Sequence, residues 1–493
     1  MKRSFKTRYA ALLVAASAIA ALAGCATQPS ATPVADNPPS TPQAEAAAAK
    51  APTATHISSS NGVHEYKLDN GMKIIVKEDH RAPVVVAQIW YKVGSSYEHG
   101  GITGVSHVLE HMMFKGTEKH GPNEFSRIIA ANGGRENAFT GQDYTAYFQQ
   151  LEKSRLAISF ELEADRMRNL LLDPEEMKKE VQVVMEERRM RTEDKPQSLT
   201  YEQFNAAAFV NSPYHNPIIG WMDDLASLTI EDLQQWYRHW YAPNNATLVV
   251  AGDVDPQAVV ELALKYYGPV EPREVPAVKP QREIEQRGIR RITVKAPAQL
   301  PTLFMGYKTP VVKTATADWE PYAIDMLAGV LDGGDSARFT RNLIRGQQIA
   351  ASVGAGYDLY SRLGGMLVIN GTPSKDVSVA KLEQAIRAEI ERLKTELVSQ
   401  DELDRIKAQV VASKVYEKDS IFYQAMQIGT LETVGLDWRL MDEYVDRLKA
   451  VTPEQIREVA NKYLDEDRLT VAVLQPLPMN ANPPAAHGGN HAH

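Results

Sequence analysis

The folded part of the chain carries an internal repeat, and this repeat constrains the fold more than any other feature. A helix is predicted to begin at Thr229 and to run to Tyr241, and an apolar strand over 246–251 follows it. A similar helix begins 223 residues later at Thr452, and a strand over 468–474 follows that one. Each helix start has a glutamate two residues after the threonine, which is typical of a helix N-terminus. The pattern therefore predicts two homologous halves.

Each half mixes strands with long helices, so the predicted fold class is α+β, with a mixed sheet packed against helices in each half. We expect the first half over 57–270 and the second over 291–478. A segment rich in proline and charge, 271–290, is interpreted as the linker between them. Residues 479–493 are expected to form a disordered tail that contains several histidines.

The N-terminus has the layout of a bacterial lipoprotein signal over 1–24. Basic residues precede an apolar run, 9–23, that is too short to span a bilayer comfortably. Leu-Ala-Gly then precedes Cys25, the single cysteine of the chain and the expected site of lipidation. An ordinary secretory signal with a stray cysteine is the alternative. Residues 25–56 are expected to form a flexible tether, so that the folded part faces the periplasm from a lipid anchor in the outer membrane.

The charge balance argues against a nucleic-acid partner, and the cysteine count excludes an intramolecular disulfide. A formal net charge of −8 argues against a nucleic-acid partner, because such proteins normally carry a basic face. A single cysteine cannot form an intramolecular disulfide. Stability must therefore come from the hydrophobic core.

The segment His107-Val108-Leu109-Glu110-His111 has the chemistry of a metal site. Two histidines four residues apart on a helix project from one face, so they can hold one metal ion between them. Glu110 borders the same face, and a carboxylate beside a metal can take a proton from water. This is the H-x-x-E-H pattern. The alternative is an amphipathic helix with a solvated polar edge, but the flanking residues are apolar and predict burial.

A third ligand is needed, because catalytic zinc usually has three protein ligands. The stretch 175–189 has no glycine or proline and is predicted to be helical. Glu180 and Glu187 are seven residues apart in it and share a face. A charged surface helix is the alternative interpretation, which we prefer for Glu175, Glu176 and Glu186.

Together these motifs resemble those of the pitrilysin (insulinase-type) zinc metallopeptidases of the inverzincin group, and the resemblance spans roughly residues 60–478. In that family the third ligand is a glutamate about 76 residues after the second histidine, and a glutamate seven positions earlier supports the site. The resemblance implies two halves that face each other like a clam shell. It also implies one Zn²⁺ per chain with His107, His111 and Glu187 as ligands, Glu110 as general base and Glu180 as a supporting catalytic residue.

The same resemblance implies an endopeptidase that acts on unfolded peptides. In the family, the segment that matches Asn137, Ala138 and Phe139 is an edge strand beside the zinc. An unpaired edge can bind an extended peptide by strand addition, so these three residues are predicted to contact the substrate. A plain edge strand in which Asn137 caps a turn is the alternative.

One family feature is missing from this sequence. Family members bind the oxyanion with an arginine and a tyrosine of the second half, and the aligned positions here are Ile344 and Ala351. A one-residue shift would recruit Arg345, but no tyrosine follows before Tyr357. We therefore expect a homologous partner subunit that supplies the arginine and tyrosine, as a heterodimer or, alternatively, a homodimer. The competing hypothesis is a non-catalytic peptide-binding or assembly protein, against which the intact H-x-x-E-H set argues.

Overall fold

Residues 51–279 and 281–479 are described in the computed structural model of the protein. The predicted signal peptide, the lipidation site Cys25, most of the tether and nearly all of the predicted tail lie outside these residues. Within the described part of the chain, no helix is both long enough and apolar enough to cross a membrane.

A seven-stranded sheet forms the centre of the first half. The strand order is β1-β2-β3-β7-β4-β6-β5, and the β3–β7 pair is parallel whereas the other pairs are antiparallel. Strand β5 therefore lies at an edge, whereas the apolar strand β7 is buried along its whole length. The strands are β1 (Ala54–Ser60), β2 (Val63–Leu68), β3 (Lys73–Glu78), β4 (Val84–Tyr91), β5 (Arg135–Thr140), β6 (Thr145–Glu152) and β7 (Ala246–Gly252).

A five-stranded sheet of order β10-β11-β9-β12-β8 forms the centre of the second half. Strand β12 pairs in parallel with β8 and antiparallel with β9, just as β7 pairs with β3 and β4. The strands are β8 (Arg290–Pro297), β9 (Thr302–Thr309), β10 (Ala350–Tyr357), β11 (Gly365–Pro373) and β12 (Leu469–Leu477). The α+β class with two homologous halves is therefore confirmed.

Eight helices lie in the first half and six in the second, counted over the described residues. The two predicted helix starts, Thr229 and Thr452, both form capping boxes. The first-half helices are α1 (Val105–Met112), α2 (Glu124–Ala131), α3 (Leu156–Asn169), α4 (Pro174–Arg188), α5 (Pro196–Ala208), α6 (Met222–Ser227), α7 (Ile230–Trp240) and α8 (Pro256–Tyr266). The second-half helices are α9 (Glu320–Asp332), α10 (Val379–Thr395), α11 (Gln400–Glu417), α12 (Ile421–Thr433), α13 (Leu440–Lys449) and α14 (Pro453–Tyr463).

The two halves exchange one helix each. Helix α5 of the first half packs on the second sheet, where Phe204 lies in a buried cluster with Phe304 and other residues of that sheet. Helix α12 of the second half packs on the first sheet, where Ala425 and Ile428 share a buried cluster with Trp90. Each half therefore completes the core of the other, and the halves face each other as expected for a clam shell.

The predicted tether needs one correction. Residues 54–56 belong to β1 rather than to a flexible segment, because Ala54 pairs with Leu68 and His56 pairs with Tyr66 of β2. The backbone bonds of this strand hold the chain on the sheet edge. Between α8 and β8 the described residues form no helix or strand, and Arg290, the last residue of the predicted linker, begins β8.

Candidate metal centre

Helix α1 presents the H-x-x-E-H segment, and a buried carboxylate caps this helix. Glu98 accepts the backbone N–H of Gly104 at 2.7 Å and that of Ser106 at 2.9 Å. Burial raises the pKa of Glu98 to about 7. Gly104 precedes the helix with φ of 89°, and a Cβ atom there would lie 2.7 Å from the Ile219 carbonyl oxygen, so this turn requires glycine.

The structure brings the three ligands implied by the resemblance together. One ligand atom each from His107, His111 and Glu187 lies within 4.8 Å of the other two. The carboxylate oxygen Oε2 of Glu187 lies 3.5 Å from Nε2 of His111 and 3.9 Å from Nε2 of His107. Among the described residues this is the one group of three such side chains that could hold a metal ion.

The donor chemistry of this group fits a zinc ion. Burial and the neighbouring His111 lower the pKa of His107 to about 3, so its imidazole is neutral at pH 7, which is the form that binds a metal. His107 is only 8% exposed and its Nδ1 has no hydrogen-bond partner within the described residues. Two imidazoles and one carboxylate would leave a coordination position open for water or substrate.

Two charged side chains hold the ligands in place. Glu180 Oε2 lies 3.1 Å from Nδ1 of His111, so Nδ1–H donates to the carboxylate and Nε2 keeps its lone pair towards Glu187. Lys115 pairs with the other oxygen of Glu180. Arg191 lies in the short π-helix that follows α4, and its guanidinium pairs with the Glu187 carboxylate at 2.5 Å. The sequence interpretation missed Arg191, although its position four residues after Glu187 was a usable signal.

Glu110 lies beside the ligands with one oxygen fixed. The Thr140 hydroxyl donates to Oε2 of Glu110 at 2.5 Å, and Thr140 is the last residue of edge strand β5. Burial raises the pKa of Glu110, which makes its carboxylate a stronger base than an exposed one. Thr140 was not singled out from the sequence, because nothing in the sequence shows which strand lies beside α1.

A cleft of about 1170 Å³ extends from the metal centre between the two halves. Asn137, Ala138 and Phe139 line it on β5, which has no second strand partner within the described residues. The side-chain oxygen of Asn137 accepts the N–H of Ala138, and Phe139 packs edge-on against Trp90. The predicted edge strand is therefore present, while its role in peptide binding stays a prediction.

The aligned oxyanion positions lie away from the cleft. Ile344 packs against the core of the second half, and Ala351 is exposed on β10. The two alternatives are engaged elsewhere, since Arg345 pairs with Asp335 at 3.3 Å and the Tyr357 hydroxyl donates to the Pro310 carbonyl at 2.5 Å. His215 lines the cleft but its Nδ1 lies 2.7 Å from the Ser212 carbonyl oxygen, which fits a structural role.

Two family models match consecutive parts of the chain. Residues 73–221 match the family described as Insulinase (Peptidase family M16), and residues 227–410 match the Peptidase M16 inactive domain. All three candidate ligands fall in the first match. A Helicobacter pylori protein named Zinc protease PqqE is 31% identical over 414 residues, which covers 83% of this chain and 92% of the relative.

Two further similarities extend over most of the chain. A Bacillus subtilis protein named Uncharacterized zinc protease YmxG is 26% identical over 416 residues, covering 84% of this chain and 98% of the relative. The crystal structure of a protease from Helicobacter pylori superimposes with a TM-score of 0.79 at 29% identity, covering 86% of this chain and 100% of that chain. The chain therefore belongs to peptidase family M16, the insulinase family.

Proposed function

We propose that this protein is a zinc-dependent endopeptidase that hydrolyses unfolded peptides or small proteins in the periplasm. The observation that carries the proposal is the convergence of His107, His111 and Glu187, with Glu110 beside them on the helix of the two histidines. A zinc ion held there would supply Lewis-acid activation of the attacking water and of the scissile carbonyl.

The protein's own side chains handle the proton. Glu110 accepts it from the attacking water and transfers it to the amine that leaves when the peptide C–N bond breaks. Thr140 holds Oε2 of Glu110, and none of the described residues donates to Oε1, which is left for the water. Glu180 keeps His111 oriented, and Arg191 balances part of the negative charge of Glu187.

The substrate is proposed to bind as an added strand on β5. Peptide main-chain groups would pair with the free edge at Asn137, Ala138 and Phe139, which line the cleft next to the metal centre. An extended, unfolded peptide suits this pairing, because its main-chain N–H and C=O groups are free to bond to the edge of β5.

Activity is proposed to depend on a homologous partner chain that supplies an arginine and a tyrosine, in a heterodimer or, alternatively, a homodimer. Arg191 is the one arginine or lysine among the described residues that line the cleft, and Glu187 already pairs with it. Loss of one oxyanion donor typically slows catalysis by about 10²–10³. The lone chain is therefore expected to hydrolyse peptides very slowly.

We also propose that the protein is anchored to the outer membrane through lipidated Cys25 and faces the periplasm. The Leu-Ala-Gly sequence directly before this single cysteine supports the proposal. A Cys25→Ser precursor should lose its membrane attachment. Persistence of that variant in the membrane fraction after a high-salt wash would contradict lipidation at this residue.

The second candidate function is peptide binding without catalysis. It is favoured because Ile344 and Ala351 stand where the family has its arginine and tyrosine, and both lie away from the cleft. Cleavage of an unfolded peptide by the purified chain, alone and mixed with its homologous partner, separates the two. The enzyme should gain activity on mixing and lose it on chelation of zinc. Peptide binding without hydrolysis under every one of these conditions would favour the non-catalytic function.

A further inference from the structure

A side cavity of about 370 Å³ opens off the cleft on the wall formed largely by the second half. Helix α5, the end of β10 with the loop after it, and strand β11 supply most of its lining. The residues that line both spaces are Gln142, Tyr201, Asn205, Tyr214, Asp358 and Ser361. Because the two spaces share these residues, the side cavity adjoins the cleft.

Asp358 is the single residue with a formal charge at neutral pH among the described residues that line the side cavity. Its carboxylate accepts the backbone N–H of Tyr360 at 3.0 Å and the hydroxyl of Ser361 at 2.8 Å. Neither donor is charged, and no lysine, arginine or histidine in the described residues forms an ion pair with it. The carboxylate is therefore held in position by neutral donors, with no ion-pair partner among the described residues.

Two other carboxylates that line the cleft already have cationic partners. Asp143 pairs with Arg362 at 3.0 Å, and Glu202 pairs with Arg188 at 2.7 Å. Asp358 differs from these two residues because it is exposed to the cavity and has no such partner. A cation brought by a ligand would find its charge partner there.

The walls of the side cavity suit a long side chain with an apolar stem. The rings of Tyr201, Phe209 and Tyr214 line it, and Met366 adds apolar surface. Lysine and arginine bury their methylene stems on such surfaces while the charged head reaches a polar partner. Lys308, which lies over the Phe209 ring, pairs with Glu283 at 2.8 Å and not with Asp358.

We infer that the side cavity is a specificity subsite for a lysine or arginine side chain of the substrate, with Asp358 as the residue that selects the positive charge. The inference rests on the proposed peptidase function and adds a substrate class to it. A peptide with a basic residue at the matching position would bind more tightly than a neutral peptide of the same shape.

Paired peptides test this inference directly. Each pair is identical except that one position carries arginine or its neutral isostere citrulline, and the position is moved along the peptide. Binding is measured by fluorescence anisotropy to the zinc-loaded Glu110→Gln protein, which should not turn the peptide over. At one position arginine should bind about tenfold more tightly than citrulline, as expected for a charge-assisted hydrogen bond.

Two further substitutions, each made in the Glu110→Gln protein, test whether Asp358 causes the tighter binding of the arginine peptide. Asp358→Asn keeps the side-chain shape and an acceptor for the Tyr360 N–H, and it should bring the arginine-to-citrulline ratio close to 1. Asp467→Asn removes an exposed carboxylate from the same half, away from the side cavity, and should leave the ratio unchanged.

Each failure has a distinct meaning. Equal binding of arginine and citrulline at every position would overturn the subsite, whereas the peptidase function would stand. A tenfold ratio that survives Asp358→Asn would overturn the assignment of the selecting residue. If neither peptide binds to a protein that holds its zinc, the proposed peptide-processing function fails and the subsite fails with it.

Discussion

At the scale of single residues, three side chains of the candidate metal centre each have a neighbour that holds them in place. His111 meets Glu180, Glu187 meets Arg191, and Glu110 meets Thr140. Such neighbours fix the orientation of a ligand and tune its affinity for metal. The proposed zinc site therefore depends on neighbouring groups that would not themselves bind the metal.

Glu180→Gln is expected to weaken zinc binding without abolishing it. The amide cannot accept the His111 Nδ1–H as strongly as the carboxylate does, and it also breaks the ion pair with Lys115. The loss in affinity should be about 10–100-fold, measured by competition with a chelator of known affinity. Glu186→Gln, on the exposed face of the same helix, is the matched control and should not change the affinity.

Glu98 links the stability of the fold to pH. Its pKa is about 7 in the folded protein, whereas an unfolded chain would have the ordinary value of 4.5. Between these two values the folded state keeps a proton that the unfolded state has released. The stabilisation is therefore complete below about pH 4.5 and is lost as the pH rises through 7.

The predicted result is a pH-dependent difference between the wild type and Glu98→Gln. The free energy of unfolding of the wild type, relative to the variant, should fall by ~2–3 kcal/mol between pH 5 and pH 8. Urea unfolding at several pH values measures this difference. A constant difference across this range would show that Glu98 titrates normally in the folded protein.

The sequence predicts part of this site and leaves part of it open. His107 and His111 could be paired because a spacing of four places two side chains on one helical face. Glu187 was assigned through the resemblance to a family. Thr140 could not be found in this way, because its contact with Glu110 of α1 depends on how distant segments pack.

At the scale of secondary-structure elements, the exchanged helices α5 and α12 join the two halves. Gly429 of α12 lies directly on Trp90 of β4, and a Cβ atom at this glycine would lie 2.0 Å from the Trp90 ring. In the second sheet the roles are reversed, since a Cβ atom at Gly306 of β9 would lie 2.5 Å from Phe204 of α5. A glycine therefore faces an aromatic ring in both of these helix–sheet contacts.

Gly429→Ala is expected to destabilise the protein by about 2–3 kcal/mol, because the added methyl group cannot fit against a fully buried ring. Thermal unfolding measures the effect, and Gly100→Ala, where no atom lies within 4 Å of the added Cβ, is the control. Replacing Trp90 by leucine should relieve part of the cost in the double variant. Additive losses in the double variant would show that the two residues are not in contact.

The elements themselves were largely predictable, whereas their exchange was not. The helix starts at Thr229 and Thr452 have local signals in the chain, and both form as predicted. Which sheet α5 or α12 covers is decided by contacts between residues that are far apart in the sequence. The tether boundary was wrong at 54–56, because pairing with the next strand, β2, outweighs the local composition.

At the scale of the whole molecule, a partly buried ion pair joins the two halves at the wall of the cleft. Arg362 of the second half pairs with Asp143 of the first at 3.0 Å and donates to the Ser96 hydroxyl at 2.7 Å. The Tyr214 hydroxyl donates to Asp143 at 2.5 Å and accepts the N–H of Leu363 at 3.0 Å. The relative position of the two halves is therefore fixed at the wall of the cleft.

Arg362→Met should loosen this contact, because Asp143 would keep a buried charge without its cation. A loss of about 3 kcal/mol in the free energy of unfolding is expected, together with faster limited proteolysis between the halves. Arg345→Met removes an exposed ion pair of the same half and should cost little. Equal effects of the two substitutions would mean that the Arg362 contact does not hold the halves together.

The most direct test of the zinc peptidase is metal analysis of three purified proteins combined with a peptide-cleavage assay in the presence of the partner chain. The wild type and Glu110→Gln should each hold one zinc ion per chain, but only the wild type should cleave peptides. Glu187→Gln should lose most of its zinc and its activity together. Full zinc occupancy in Glu187→Gln, or undiminished cleavage by Glu110→Gln, would contradict the metal centre described above.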